Sequence, residues 1–251
     1  MSAAPKIFRQ TDSKDPRHYR ERVKSPDLVK FRVTLKETDL LISAEKDLTR
    51  EALAVVWKYR NQIEKYIAQD PHFQESLVPY SVDRLAPPIV KEMAAAGREA
   101  GVGPMAAVAG AMAEFVGRDL MDQSPQVIVE NGGDIFLATK VKRKISIFTE
   151  KKSLPSYVDF WIDPGKTPLG ICTSSGTEGP SFSFGRADAV MVISSSAAIA
   201  DAMATALGNR VHSRKDIQKA LDFLRGARHV EGGAVFMEGE MGFWGDLELA
   251  E

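Results

Sequence analysis

Apolar and polar residues alternate loosely from Leu28 to Ile42, with Val29, Phe31, Val33 and Leu35 on one side of a polar break and Leu40 and Ile42 on the other. A period of two predicts two strands, joined by a turn at Lys36-Glu37-Thr38-Asp39. From Thr49 the period lengthens. Leu53, Val56, Tyr59, Ile63, Tyr66 and Ile67 recur at helical spacing, so a helix is expected to about Ala68, ended by Asp70-Pro71. Residues 71–88 hold Pro71, Pro79, Pro87 and Pro88 and read as a structured loop. Two further helices follow, over Ile89 to Ala100 and Pro104 to Met121. Pro104 falls in the first turn of the second, where its missing N–H is harmless. That helix is alanine-rich and contains Gly110, a surface small enough for another backbone or a ligand to approach closely.

After Gln126 the strand period returns. Val127 to Val129 and Ile135 to Leu137 flank a turn at Asn131-Gly132-Gly133-Asp134. Ile145 to Phe148, Val158 to Ile162 and Leu169 to Cys172 read as strands, and Ala187 to Ile193 is apolar enough for a buried one. Helices are expected over Ala197 to Leu207 and Asp216 to Arg225, then terminal strands at Val235-Phe236 and Phe243 to Leu249. Helices dominate the first half and antiparallel-looking strands the second, which predicts an α+β fold.

The chain has 251 residues, with Lys plus Arg at 33 and Asp plus Glu at 34. A net charge of −1 lacks the basic excess of a dedicated nucleic-acid binder, so no nucleic-acid partner is expected. One cysteine, Cys172, excludes an intrachain disulfide framework and a cysteine-cluster metal site. The first residues lack a signal-peptide pattern, and the apolar stretch Ala187 to Leu207 carries Asp188, Asp201 and Ser194 to Ser196. The expectation is a cytoplasmic protein without a membrane partner. Arg9 to Arg32 has mixed charge with a basic bias and reads as a solvated arm or edge strand, or as an anion-binding arm.

Four segments could carry chemistry. The glycines of Asn131-Gly132-Gly133-Asp134 permit positive φ and expose N–H groups to an anion; a plain hairpin turn needs the same residues. Thr173-Ser174-Ser175-Gly176, at a strand end, could cradle a phosphate or form a polar turn, and it lacks the ending of a P-loop. Asp201 and Thr205, four apart on a helix, share a face and offer hard oxygens suited to magnesium. The alternative is a surface Asp and a Thr bonded to its own backbone. Arg186 and Asp188 enter a buried strand as an ion pair or as ligand contacts. The histidines His18, His72, His212 and His229 show no metal spacing. Cys172 is a small core residue or a reactive thiol.

Taken in order, Asn131-Gly132-Gly133-Asp134-Ile135, Thr173-Ser174-Ser175-Gly176 and Ala200-Asp201-Ala202-Met203-Ala204-Thr205-Ala206 resemble the ApbE superfamily. That superfamily contains magnesium-dependent FMN transferases, which move FMN from FAD to a threonine of a target protein. The resemblance is strongest to its cytoplasmic UPF branch, related to the thiamine-biosynthesis lipoprotein. Thr38-Asp39-Leu40, Val102 to Ala111, Glu130 to Asp134, Gly170 to Gly176, Gly179-Pro180-Ser181 and Gly185 to Ala189 carry it. It implies one ApbE-like (T-fold-like) α+β domain over residues 1–251, with 1–27 as an arm or edge segment. The implied metal ligands are Asp201, Thr205 and a backbone carbonyl whose nearest match is Ala106. Asn131, Gly132, Gly133, Asp134, Thr173, Ser174, Ser175, Gly176 and Arg186 would hold the ligand, a phosphate-bearing small molecule such as FAD or FMN. The sequence departs from the transferases at Ser181 to Arg186, where they carry a histidine. Family membership also implies an alternative, a non-catalytic ligand holder or sulfur-assimilation accessory in homocysteine formation. It would assist a partner enzyme and give Cys172, otherwise the one candidate for a catalytic residue, a role as a sulfur-handling thiol beside the pocket. The alanine-rich helices would pack on each other or across a homodimer.

Overall fold

The computed structural model describes residues 20, 25–148, 157–175 and 184–250. The first hairpin is where the alternation puts it. β1 (Val29–Leu35) pairs with β2 (Thr38–Ala44), and the turn between them is taken with Lys36 at φ 53°. α1 (Thr49–Gln69) buries Ala52, Val56, Tyr59, Ile63 and Tyr66, a stripe at helical spacing. The proline-rich stretch contains one short helix, α2 (His72–Glu75), which the sequence reading does not anticipate. α3 (Pro88–Ala100) starts on a proline and ends on Gly101 in the left-handed region, φ 76°.

The helix expected over Pro104 to Met121 is two pieces. A turn of 3-10 helix, Pro104–Ala107, leads into α4 (Val108–Met121). Ala107, at φ −114° and ψ 4°, departs from helical geometry and resets the hydrogen-bond ladder. The first N–H groups of α4 are therefore left for outside partners.

β3 (Val127–Asn131) and β4 (Asp134–Ala138) form the predicted second hairpin. β5 (Arg143–Phe148), β6 (Tyr157–Ile162), β7 (Leu169–Ser174) and β8 (Ala189–Ser194) follow. After α5 (Ala197–Gly208) and α6 (Ile217–Arg225) come β9 (Val230–Met237), β10 (Glu240–Gly245) and β11 (Glu248–Leu249). The expected last strand breaks at Gly245, whose φ of 98° turns the chain out of β10.

Eight strands make one sheet in the order β1-β2-β3-β4-β7-β8-β9-β10, and β11-β6-β5 make a second. Every pairing is antiparallel, and helices pack on the large sheet, so the fold is α+β as expected. Strand alternation divides the interior into two cores. Val127, Val129, Phe136, Cys172 and Val192 face the helices. Ile128, Leu137, Ile171, Ile193 and Phe236 face the other way, onto Ile147, Val158 and Phe160 of the small sheet.

The charge run before β1 behaves differently from a solvated arm at Arg20. Arg20 is buried, and its guanidinium meets Glu130 and Asp39; Asp39 also accepts from Arg32 at 2.7 Å. These cations are matched by acids across β2 and β3, which sequence order does not reveal. The rest of the proposed arm, residues 1–19 and 21–24, lies outside the described residues.

Candidate functional site

The site is built where the start of α4 meets α5 and the β3–β4 hairpin. Gly110 makes the meeting possible. A Cβ at this position would lie 2.1 Å from the Ala197 carbonyl oxygen and 2.8 Å from the Asp201 Cβ, so only glycine lets the two helices approach this closely. Gly170 does the same for the sheet, its would-be Cβ falling 2.2 Å from the Ala197 Cα. The alanine-rich helices thus pack on each other within one chain, one of the two arrangements their composition allows.

α5 is pinned from both sides by carboxylates. The Glu114 Oε2 accepts from the N–H of Ala197 at 2.7 Å and the hydroxyl of Ser196 at 2.8 Å, capping the N-terminus of α5. One turn further along, the Gly110 N–H donates to the Asp201 Oδ2 at 2.8 Å. Each helix uses an acid to satisfy the free N–H groups of the other.

The hairpin supplies the facing wall. Asn131 and Asp134 are directly paired across the turn, and Gly132 and Gly133 take φ of 69° and 105°. Positive φ at both central residues is what a two-residue hairpin turn requires. The Asn131 side-chain amide donates to the Ala109 carbonyl at 3.1 Å, tying the hairpin to α4. The Gly133 N–H donates to Glu130 at 2.9 Å, and the Thr173 hydroxyl donates to the Gly133 carbonyl at 3.2 Å.

Between these walls lies a cavity of about 870 Å³, within the range of small-molecule sites. Ala106, Asn131, Gly132, Asp134, Asp201 and Thr205 all line it, although they come from three separate segments of the chain. Thr38 of the first hairpin lines it too, as do Arg60, Glu64 and Gln74, which the sequence reading does not single out. Nothing in the local pattern marks Arg60 or Glu64, because α1 reads as an ordinary amphipathic helix.

Other predicted residues lie apart from the cavity. Thr173 points to the opposite face of β7 from Cys172, and the Ser175 hydroxyl donates to the Asp188 carbonyl at 3.0 Å. Gly133, Thr173, Ser174, Ser175 and Arg186 are not among its lining residues, and Gly176 lies outside the described residues. Asp188 is buried and accepts from the Glu238 N–H at 2.7 Å. Cys172 is fully buried and donates to the Ala197 carbonyl at 3.3 Å. Burial and the nearby Asp134 and Asp201 charges push its thiol well above the usual range, so it stays protonated.

The two cavity carboxyls are both perturbed. Burial pushes the Asp134 carboxyl well above the ordinary range, and the Asp201 charge adds to this; contact with the Cys172 thiol and the Thr173 N–H pulls the other way. Loss of solvent raises Asp201 to about 7 against the pull of the Gly110 and Ala109 N–H groups. Among the described residues no cluster of three or more His, Cys, Asp or Glu is arranged to hold a metal. A cation here would draw on mixed oxygens: carboxylate, the Thr205 hydroxyl and backbone carbonyl. No single described helix is long and apolar enough to cross a membrane.

The sheet order and the cavity between helix and hairpin define an α+β protein with a site of small-molecule size. A family model described as AbpE bacteria matches residues 20–229. A UPF0280 protein of Methanospirillum hungatei is 42% identical over 216 residues, covering 85% of this chain and 86% of that one. Another, from Methanosphaerula palustris, is 40% identical over 225 residues, covering 88% and 92%. The chain belongs to the UPF0280 family of ApbE-like proteins. Among solved structures, the apo flavinyl transferase ApbE of Pseudomonas stutzeri shares the fold with a TM-score of 0.58 at 13% identity, covering 88% of this chain and 94% of that one.

Proposed function

We propose that the cavity binds a phosphate-bearing flavin or nucleotide, FAD foremost, together with magnesium, and that the protein acts as an FMN-transferase-like enzyme. One observation carries the reading: Asp201, Thr205 and Ala106, widely separated in sequence, converge with Asn131 and Asp134 on a single cavity of about 870 Å³. The flavin transferase that shares the fold supports the choice of ligand class. Among the described residues, Glu37, Glu64, Asp134 and Asp201 line the cavity against one cationic side chain, Arg60, an acidic surround that repels a bare phosphate once the carboxyls are ionised. Asp201 and Thr205 would hold the cation, with Ala106 supplying its carbonyl. The bound ion neutralises phosphate charge and polarises a phosphoryl oxygen. Asn131 and Gly132 present polar edges to the ligand, and the rigid contact of α4 with α5 fixes the position of Asp201.

Calorimetry with FAD, with and without magnesium, tests this. Wild-type protein binds FAD only with the ion, and Asp201→Asn binds it roughly tenfold or more weakly, the scale on which metal sites respond to loss of a supporting group. Equal binding by Asp201→Asn in the presence of magnesium overturns the reading.

A second reading is a non-catalytic ligand holder, such as a sulfur-assimilation accessory to a partner enzyme. It is favoured because no described histidine lines the cavity to take the proton of an acceptor hydroxyl. A transfer assay with FAD and a threonine-bearing acceptor peptide separates the two, since product formation removes the second.

A further inference from the structure

We infer that Asp134 is a direct ligand of the same cation, so that the site is built on two carboxylates, one from the hairpin and one from α5. The inference rests on the cavity holding a divalent ion and extends that reading to a residue that neither the spacing of Asp201 and Thr205 nor the Ala106 carbonyl includes.

The observation is an orphaned atom. Asp134 is 6% exposed, and its Oδ1 is buried with no hydrogen-bond partner. A buried carboxylate oxygen left bare is strongly unfavourable unless it meets a proton or a cation. Asp134 lies on the helix-facing side of β4, in register with Phe136 two residues on, and lines the cavity that Asp201 and Thr205 line. Among the described residues that line the cavity, the one cationic side chain is Arg60, and it is engaged by Glu37, Glu64 and Thr38. Asp201 is half spoken for, with its Oδ2 bonded to the Gly110 N–H. Two acids of like charge facing one cavity repel each other, and a hard divalent ion between them turns that repulsion into attraction for both. The hairpin makes the placement rigid, because Asp134 closes a two-residue turn whose partner Asn131 is tied to Ala109.

Manganese alone is the probe. Titration of the full chain with Mn²⁺, followed by loss of the free-ion paramagnetic resonance signal, reports binding without any ligand or activity. Wild-type protein binds one ion. Asp134→Asn and Asp201→Asn each weaken binding about tenfold or more, with melting temperatures showing both variants folded. If Asp201→Asn weakens binding and Asp134→Asn does not, the inference fails while the cation site stands. If neither variant changes binding, the cation reading falls with it. Crystals of wild-type protein soaked in Mn²⁺ decide the point independently of any variant. Anomalous density within coordination distance of both carboxylates is expected, and a peak at Asp201 alone overturns the assignment.

Discussion

The carboxyl of Asp201 sits at about 7 because it is desolvated between two helices and only partly compensated by N–H donors. Its ordinary value is 3.8, so the folded protein holds a proton that the unfolded chain releases between these two limits. In the absence of a cation, this group makes the fold less stable as pH rises from about 4 to about 7. Cation binding runs in the opposite sense, since the ion must displace that proton. Mn²⁺ affinity therefore rises from pH 6 towards pH 8, with proton release detectable by calorimetry in buffers of different ionisation enthalpy. A pH-independent affinity over this range contradicts the role given to Asp201. The residue type and the spacing to Thr205 were legible in the sequence; the raised titration point was not. It depends on Gly110 and on burial, which are set by segments about ninety residues away in the chain.

Among the elements, the crossing of α4 and α5 decides the geometry of the site. Gly110 is the contact point, and an alanine there must push its methyl into the Ala197 carbonyl and the Asp201 side chain. Gly110→Ala should cost about 1–3 kcal/mol, the usual range for overpacking a tight core. It should also reduce Mn²⁺ binding in protein that remains folded, as read by chemical denaturation and by titration of the ion. Destabilisation without loss of binding would place the cation elsewhere. The helices themselves were readable from apolar period and proline placement. The break of the expected Pro104 to Met121 helix at Ala107 was not, because alanine, a strong helix former, stands on both sides of it. The break is where tertiary contact overrides propensity, and it frees the N–H that Asp201 takes.

Across the whole molecule, the large sheet separates two tasks. Its helix face carries the cavity, and its other face packs on the small sheet through Phe160, Ile147, Leu137 and Phe236. Phe160, 1% exposed, contributes only to that second core. Phe160→Ala should lower stability by about 3–5 kcal/mol. At temperatures where the variant stays folded, ligand and cation affinity should be unchanged, because the lost side chain lies across the sheet from the site. A parallel loss of affinity would mean that the two faces are mechanically coupled.

The sequence alone determined the strand and helix periods, the glycine turn of the β3–β4 hairpin, the α+β class and the pairing of Asp201 with Thr205 on one helical face. Those are local properties, set by side-chain chemistry within one or two turns of chain. Only the tertiary structure decided that Asp134 faces the cavity while Thr173 turns away, that Arg60 and Glu64 line it too, and that Arg20 and Arg32 are neutralised by Asp39 and Glu130. The reason is topological. An eight-stranded antiparallel sheet brings β2, β3, β4 and β7 side by side, and which face a given side chain occupies follows from pairing register, a relation between distant segments.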